Sequence, residues 1–315
     1  MRIRTGPALL LLCAVCLGCS GSAEMALTAH RNIPYATIPG VSPNLTSLDI
    51  YVSNPVSAKP APVLVWVHGG GWAIGDKANQ MQYKPALFTS AGYCFVSINY
   101  RLSPRPASAK PDRIMYPVHE QDVASALAWV HSHIAEYGGD PERIALMGHS
   151  AGAHLVSLVS TDETFLGTHK LPLGVIKGTV SLDTEGYDIA GHMERAVTEI
   201  YENAFGPDPA VWKQASPATH VAPGKGIPPF LLVTRGAAVR RQQCADFASA
   251  LQKAGTRAEV VNAPGYSHAE VNSKIGAPGE TVVTQPLMQF LAGCFGTKKL
   301  GTAPPPPPTP RADRH

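Results

Sequence analysis

The chain has 315 residues, 44% hydrophobic and 16% charged, which is enough apolar material for a sizeable core and too little charge for a disordered chain. Twenty-six basic residues stand against 23 acidic ones, a formal net charge of +3, and no basic block interleaves with aromatics, so a nucleic-acid footprint is excluded. Pattern also excludes collagen, coiled coil and a multi-span membrane protein; the length allows two domains, but α/β folds of this size also run as one.

The N-terminus, residues 1–23, has the form of an export signal. Arg2 and Arg4 precede an apolar stretch, Ala8 to Gly18, too short to span a bilayer. Two processing positions are open. Gly21-Ser22-Ala23 offers small residues for a cleavage that leaves Glu24 first. Leu17-Gly18-Cys19, followed by Ser20, resembles a bacterial lipoprotein box in which Cys19 carries the lipid; Cys16 departs from the leucine usual there. Either route exports the protein, as a secreted, periplasmic or lipid-anchored form. Without Arg2 and Arg4 the balance is 24 basic against 23 acidic residues, so attraction to acidic partners is not a theme. Outside the signal lie Cys94, Cys244 and Cys294, an odd number that leaves room for one disulfide; Cys94, in an apolar run, reads as a buried thiol.

Residues 24–299 read as one domain in which strand and helix alternate. Leu48 to Val52 offers an early hairpin strand. Pro62 to His68 and Tyr93 to Asn99 are apolar β-rich runs, with a weak helix near Tyr83 to Ser90 between them. Val118 to Tyr137 has helical spacing through Val123, Leu127, Trp129, Val130 and Ile134. Asp140 to Arg143 reads as a turn, Ile144 to Met147 as a strand and Ala151 to Val159 as a helix. Strands follow at Val175 to Leu182, Phe230 to Thr234 and Ala258 to Asn262, with helices at Cys244 to Ala254 and Val283 to Phe295. Continuous apolar strands alternating with helices predict an α/β fold, a mostly parallel sheet covered on both faces. Residues 184–229 break that rhythm, with two weak helical pieces, as a cap-like insertion over a site would. Residues 300–315 form a tail with five consecutive prolines, which forbid a helix.

In such a sheet ligands sit beyond the carboxyl ends of the strands, and three groups fall there. Gly148-His149-Ser150-Ala151-Gly152 follows a strand and opens a helix, the context a nucleophile elbow requires. His68-Gly69-Gly70-Gly71-Trp72 follows the first strong strand. Its glycines suit an oxyanion hole in which the N–H groups of Gly70 and Gly71 join that of Ala151, with His68 orienting the loop. Trp72 either lines a pocket or packs. Gly265-Tyr266-Ser267-His268 follows the last strand and supplies a late histidine, the residue suited to accept the serine proton at neutral pH.

With HGGGW and GHSAG in this order, the sequence resembles the α/β-hydrolases, within them the esterase and lipase branch. The resemblance covers roughly Leu48 to Phe295. GHSAGAHL (residues 148–155), NYRLSP (99–104) and YGGDP (137–141) look like the kynurenine formamidase and bacterial feruloyl-esterase-like group. The resemblance implies a serine hydrolase of esters or amides with no metal or organic cofactor. The family usually places its acid just after the strand that corresponds to Phe230–Thr234, and this chain reads RGAAVRR there, with no carboxylate. Asp183, which ends the preceding strand, is the favoured acid, as in lipases with that arrangement; Glu185, Asp188 and Asp246 are the alternatives.

Other polar residues have plainer expectations. His149 and His154 flank the serine without a metal-site arrangement. His131 and His133, two apart on a helix, face different directions. Arg101 and Asp122 read as a structural ion pair. Three functions follow. The leading one is a secreted or lipid-anchored carboxylesterase acting on a small-molecule ester through Ser150, His268 and Asp183. An arylformamidase-type amide hydrolase is the second. The third is a non-catalytic binding protein on the same fold, motivated by the missing carboxylate.

Overall fold

The computed structural model describes residues 26–57, 59–105, 110 and 112–297. The expected export signal with Cys19 and the proline-rich tail lie outside the described residues. One eight-stranded sheet organises the rest. In chain order its strands are β1 (Ala26–Pro34), β2 (Ser47–Asn54), β3 (Ala61–Val67), β4 (Cys94–Ile98), β5 (Gly139–His149), β6 (Ile176–Leu182), β7 (Phe230–Thr234) and β8 (Ala258–Asn262). In space they run β1-β2-β4-β3-β5-β6-β7-β8. β1 and β2 pair antiparallel, and β2 is antiparallel to β4, while every pair from β4 to β8 is parallel. This is the mostly parallel sheet that the α/β-hydrolase resemblance implies.

The strands form because their side chains alternate between two apolar layers. Val63, Val65 and Val67 of β3 enter one layer with Ile144 and Leu146 of β5. Leu64 and Trp66 enter the other with Ala145 and Met147. All nine are fully buried, and each large one contributes roughly 1.5–3 kcal/mol by leaving water.

The helices are α1 (Lys84–Ser90), α2 (Val118–His133), α3 (Ala151–Val159), α4 (Glu163–Gly167), α5 (Ile189–Arg195), α6 (Glu199–Phe205), α7 (Pro209–Gln214), α8 (Ala238–Lys253), α9 (Glu270–Ser273) and α10 (Thr284–Phe295). α2 and α3 cover one face of the sheet through Val123, Leu127, Val130 and Leu155. α1 and α10 cover the other through Phe88, Leu287 and Leu291. α8 packs Phe247 and Leu251 onto Phe230 and Leu232 of β7. Among the described residues no helix is long and apolar enough to cross a membrane. The expected Arg101–Asp122 pair forms at 2.7 Å and ties α2 to the segment after β4.

Several details differ from the sequence reading. β1 was not anticipated; it is a sheet edge whose exposed positions carry no apolar run. Asp140 to Arg143, expected as a turn, lies inside β5 as an irregularity between the Ala61–Gly139 and Val63–Ile144 pairs. The Asp140 carboxylate closes it, accepting from the Glu142 N–H at 2.9 Å and from Arg143 Nε at 2.6 Å. α8 starts at Ala238, six residues before the expected start, because its first turns are polar and carry no periodic signal. Residues 184–229 hold three short helices, α5 to α7, rather than two weak pieces. Cys94, Cys244 and Cys294 are free thiols, the first two buried.

Candidate active site

β5 ends at His149 and α3 begins at Ala151, so Ser150 alone makes the turn. Its φ of 57° and ψ of −119° lie in a region that costs an L-residue about 1–3 kcal/mol. The surroundings hold it there: the Ser150 N–H donates to the Leu182 carbonyl at 2.9 Å, and the His154 N–H donates back to the Ser150 carbonyl at 3.1 Å. The turn closes because residue 152 is glycine; a Cβ there would sit 2.2 Å from the Val67 carbonyl oxygen. The Ala151 N–H is in the first turn of α3, where backbone donors have no intrahelical acceptor.

The glycine loop follows β3. Gly70 has φ of 119°, and a Cβ on it would lie 2.0 Å from the backbone oxygen of Ile74, so no other residue fits this turn. Its carbonyl accepts from the N–H groups of Ala73 and Ile74. His68 stacks on Tyr100 at 4.5 Å and donates Nδ1–H to the Gly69 carbonyl at 2.8 Å. Burial lowers its pKa, so it is a neutral loop-orienting group. Trp72 does both things expected of it. It packs edge-on against Tyr201, Phe205 and His154, and it lines the cavity above Ser150.

Asp183 follows β6 with φ of 50° and donates its N–H to the Val233 carbonyl at 2.8 Å. Trp72, Ser150 and Asp183 are three of the six non-glycine residues with positive φ among the described residues, so backbone strain concentrates at these strand ends. The Asp183 carboxylate is fully buried. Its Oδ2 accepts from His268 Nδ1 at 2.6 Å and Arg235 Nε at 2.7 Å, and its Oδ1 from Arg240 Nη1 at 3.2 Å. Burial alone would raise its pKa; the bonds from His268 and Arg235 and the charge of Arg240 outweigh that, so it lies below the usual carboxylate value. An ionised carboxylate only accepts, so His268 carries its proton on Nδ1 and leaves Nε2 as the basic nitrogen.

The other carboxylates that the sequence offered have other partners, although Glu185 lines the same cavity. Glu185 pairs with Arg240 at 2.8 Å. Asp188 caps α5 by accepting from the Gly191 N–H at 2.9 Å. Asp246 is exposed and accepts from Gln242 at 2.8 Å. Of the four, Asp183 is the one hydrogen-bonded to His268.

His268 sits on a short loop fixed from several sides. His149 donates Nε2–H to the His268 carbonyl at 2.8 Å, and the two rings lie 4.5 Å apart. Burial and then the neighbouring His268 push the His149 pKa down to about 3, so it is neutral. Lys84 Nζ, over the Trp66 ring, donates to the Asn272 carbonyl at 3.1 Å and anchors α9. The Ser267 N–H donates to Glu270 at 2.8 Å.

Ser150, Ala151, Asp183 and His268 line one cavity of about 190 Å³. Gly71 and Trp72 form its wall on the loop side, and Ile200 and Tyr201 of α6 close it from residues 184–229. Such an arrangement can deliver a serine oxygen, a base and backbone donors to one carbonyl group. His154 is not part of the cavity lining and meets Trp72 edge-on. It is fully buried, donates Nε2–H to the Ala215 carbonyl at 2.8 Å, and keeps Nδ1 3.9 Å from Glu120. His131 and His133 belong to α2, away from the cavity. Among the described residues no group of three or more histidines, cysteines or carboxylates is placed to hold a metal ion.

Sequence reasoning missed Arg235, Arg240 and His149. The first two were noted only as the absence of a carboxylate, and their partner Asp183 lies 52 and 57 residues away in the chain. Glu120 was missed as well; it falls on the α2 stripe of Val123, Leu127 and Val130, which was enough to read its burial.

Comparison with known proteins follows from this geometry. The BD-FAE family pattern matches residues 48–251. The chain is 32% identical to the probable carboxylic ester hydrolase LipM of Mycobacterium tuberculosis, over 78% of this chain and 57% of LipM, so it spans about half the length of that relative. It is 30% identical to the carboxylesterase NlhH of the same organism, over 73% of each chain. Among solved structures, a truncated carbohydrate esterase from gut microbiota superposes with a TM-score of 0.68 at 22% identity, covering 88% of this chain and 99% of that one. That likeness shows a shared fold.

Proposed function

The chain belongs to the BD-FAE family, and from that membership we propose that it is an exported serine hydrolase that cleaves small carboxylic esters. The observation that carries the reading is the 2.6 Å bond from His268 to the ionised Asp183, in the cavity that also holds the strained Ser150. Relatives named as carboxylic ester hydrolases support it.

The reaction runs in two halves. The ester enters with its carbonyl over Ser150. Ser150 Oγ attacks the carbonyl carbon as His268 Nε2 takes the hydroxyl proton. Asp183 holds the imidazole in the Nδ1–H tautomer and stabilises the imidazolium that forms. The oxygen that gains charge is met by the N–H groups of Gly70, Gly71 and Ala151, donors fixed beforehand by the loop and the start of α3. His268 then gives its proton to the leaving alcohol as the carbon–oxygen bond breaks. Water, deprotonated by His268, attacks the acyl-serine, and the proton returns to Ser150 Oγ as the acid leaves.

Hydrolysis of p-nitrophenyl acetate, butyrate and octanoate tests the reading, beside a fluorophosphonate label on Ser150. Folded protein that neither labels nor turns over would return the chain to the ligand-binding reading. Turnover of an N-formyl aryl amide at a rate comparable to the esters would move it to the formamidase reading. For export, supported by the leader of residues 1–23, fatty-acid labelling that is lost in Cys19→Ala places the protein on a membrane. Unlabelled protein with Glu24 first is instead the product of ordinary cleavage.

A further inference from the structure

The loop after β7 of this chain carries no carboxylate but two cations, Arg235 and Arg240, and both reach the acid of the neighbouring strand. Arg235 Nε and His268 Nδ1 meet on the same oxygen, Asp183 Oδ2, at 2.7 and 2.6 Å. Arg240 takes the other oxygen at 3.2 Å and spans to Glu185 at 2.8 Å. Asp183 has no exposed surface, so these three donors take the place that water would have. We propose that Arg235 and Arg240 are positioning residues for the acyl-transfer reaction: they hold the Asp183 carboxylate against His268 Nδ1 and balance its charge beside the imidazole. The inference rests on the Ser150–His268–Asp183 reading of the site.

The electrostatics follow from counting what faces His268. Beyond β6 and β7 stand Asp183, Glu185, Arg235 and Arg240, two charges of each sign. From β5 comes His149, neutral because burial pushes it to about 3. From α1 comes Lys84, which burial brings down to about 7. On the histidine's own segment Glu270 pairs with Lys274 at 2.8 Å. A lone buried aspartate beside an imidazole favours its protonation, and bound guanidiniums oppose that effect. Deleting either one leaves a net negative charge beside the ring, and a single charge at this range moves a pKa by about 1–3 units. Arg235 has the larger share because it touches the same oxygen as the ring.

The test compares wild type with Arg235→Gln, Arg240→Gln, the double variant and Arg235→Lys. Two readouts are taken: the pH profile of kcat/KM on p-nitrophenyl acetate, and the NMR titration of the His268 imidazole in the full chain, assigned by its loss in His268→Gln. The expected result is that the acid limb and the His268 titration both rise by about one unit in Arg235→Gln, less in Arg240→Gln and more in the double variant. One unit is a tenfold loss of kcat/KM on that limb. Arg235→Lys restores the charge and returns both readouts toward wild type. Two results overturn the proposal. One is a drop in kcat at every pH with limb and titration unmoved, which is what loss of mere support would give. The other is a shift that Arg235→Lys fails to reverse. Wild type without turnover would instead defeat the hydrolase reading, and the titration alone would then decide the charge role.

Discussion

Among the described residues two histidine–carboxylate pairs lie near Trp72, which meets the ring of His154 and lines the cavity with His268, and they behave in opposite ways. His268 and Asp183 are 2.6 Å apart, and the histidine side chain is 40% exposed to the cavity. His154 and Glu120 are 3.9 Å apart with both side chains at 0%. Burial pushes Glu120 up to about 8 and His154 down to about 4, so at neutral pH both are uncharged. Neither Glu120 oxygen, nor His154 Nδ1, has a hydrogen-bond partner. Asp183 is as buried as Glu120, yet its pKa falls, because three nitrogen donors reach it. Burial of a carboxylate beside a histidine therefore does not by itself fit a pair for proton transfer. Donors that keep the acid ionised and an opening that lets the base reach a substrate do.

Substitution breaks the comparison at its strongest point first. Ser150→Ala is expected to lower kcat on p-nitrophenyl esters by on the order of 10⁵–10⁶, since the serine, the base and the acid act as a unit. Asp183→Asn keeps the shape but presents an amide to Nδ1 and favours the wrong tautomer, an expected loss of about 10³–10⁴. Glu120→Gln, the same chemical change in the silent pair, leaves kcat/KM within about threefold, as its carboxyl is already neutral. Steady-state kinetics on the three folded variants read this directly. Equal losses in Asp183→Asn and Glu120→Gln would mean that the two pairs do not differ as their surroundings say.

The donors opposite the pair sharpen it next. Gly70→Ala forces a Cβ to 2.0 Å from the Ile74 backbone oxygen at a φ of 119°, so the loop must move and its N–H groups with it. The expected cost is about 10²–10³ in kcat with little change in KM, the signature of a donor that meets charge only in the transition state. A purely raised KM would instead assign the loop to substrate binding.

How much of this was legible follows from the same contrast. The strands from β3 to β8 were readable because a parallel sheet buried on both faces needs continuous apolar runs, and Val63–Val67 or Phe230–Thr234 are such runs. The motifs at Ser150 and at Gly70–Gly71 were readable because strained turns restrict residue choice locally. β1 was not readable, since an edge strand open to water carries no pattern. Nor was the partnership of Arg235 and Arg240 with Asp183, which lies 52 and 57 residues away in the chain. Only the parallel pairing of β6 with β7 brings those strand ends together, and no local spacing encodes it. Glu120 lay between these cases: its place on an apolar stripe announced its burial, but the approach of His154 depends on how α2 packs on α3.

The smallest effect isolates the silent pair by stability instead of rate. Glu120 has a folded pKa of about 8, above its ordinary value of 4.5, because burial disfavours the charge. The folded chain therefore keeps a proton that the unfolded chain releases. Stability carried by that proton is complete below about pH 4.5 and is lost progressively as pH rises toward 8, above which it stays level. Glu120→Gln cannot titrate, so the difference in unfolding free energy between the two chains tracks this one group. His154 works in the other direction, adding stability between its folded value of about 4 and its ordinary 6.5. Both chains contain it, so to a first approximation it cancels from the difference. Denaturant unfolding from pH 4 to 9 is expected to show wild type losing a few kcal/mol relative to Glu120→Gln across that window. The corresponding curve for Asp183→Asn bends the other way. There wild type gains on the variant as pH rises through the carboxylate range, because the folded pKa of Asp183 is depressed and its contribution is lost only on acidification. Two parallel curves would show that Glu120 is solvated or partnered, and the contrast between the pairs would then rest on access to the cavity alone.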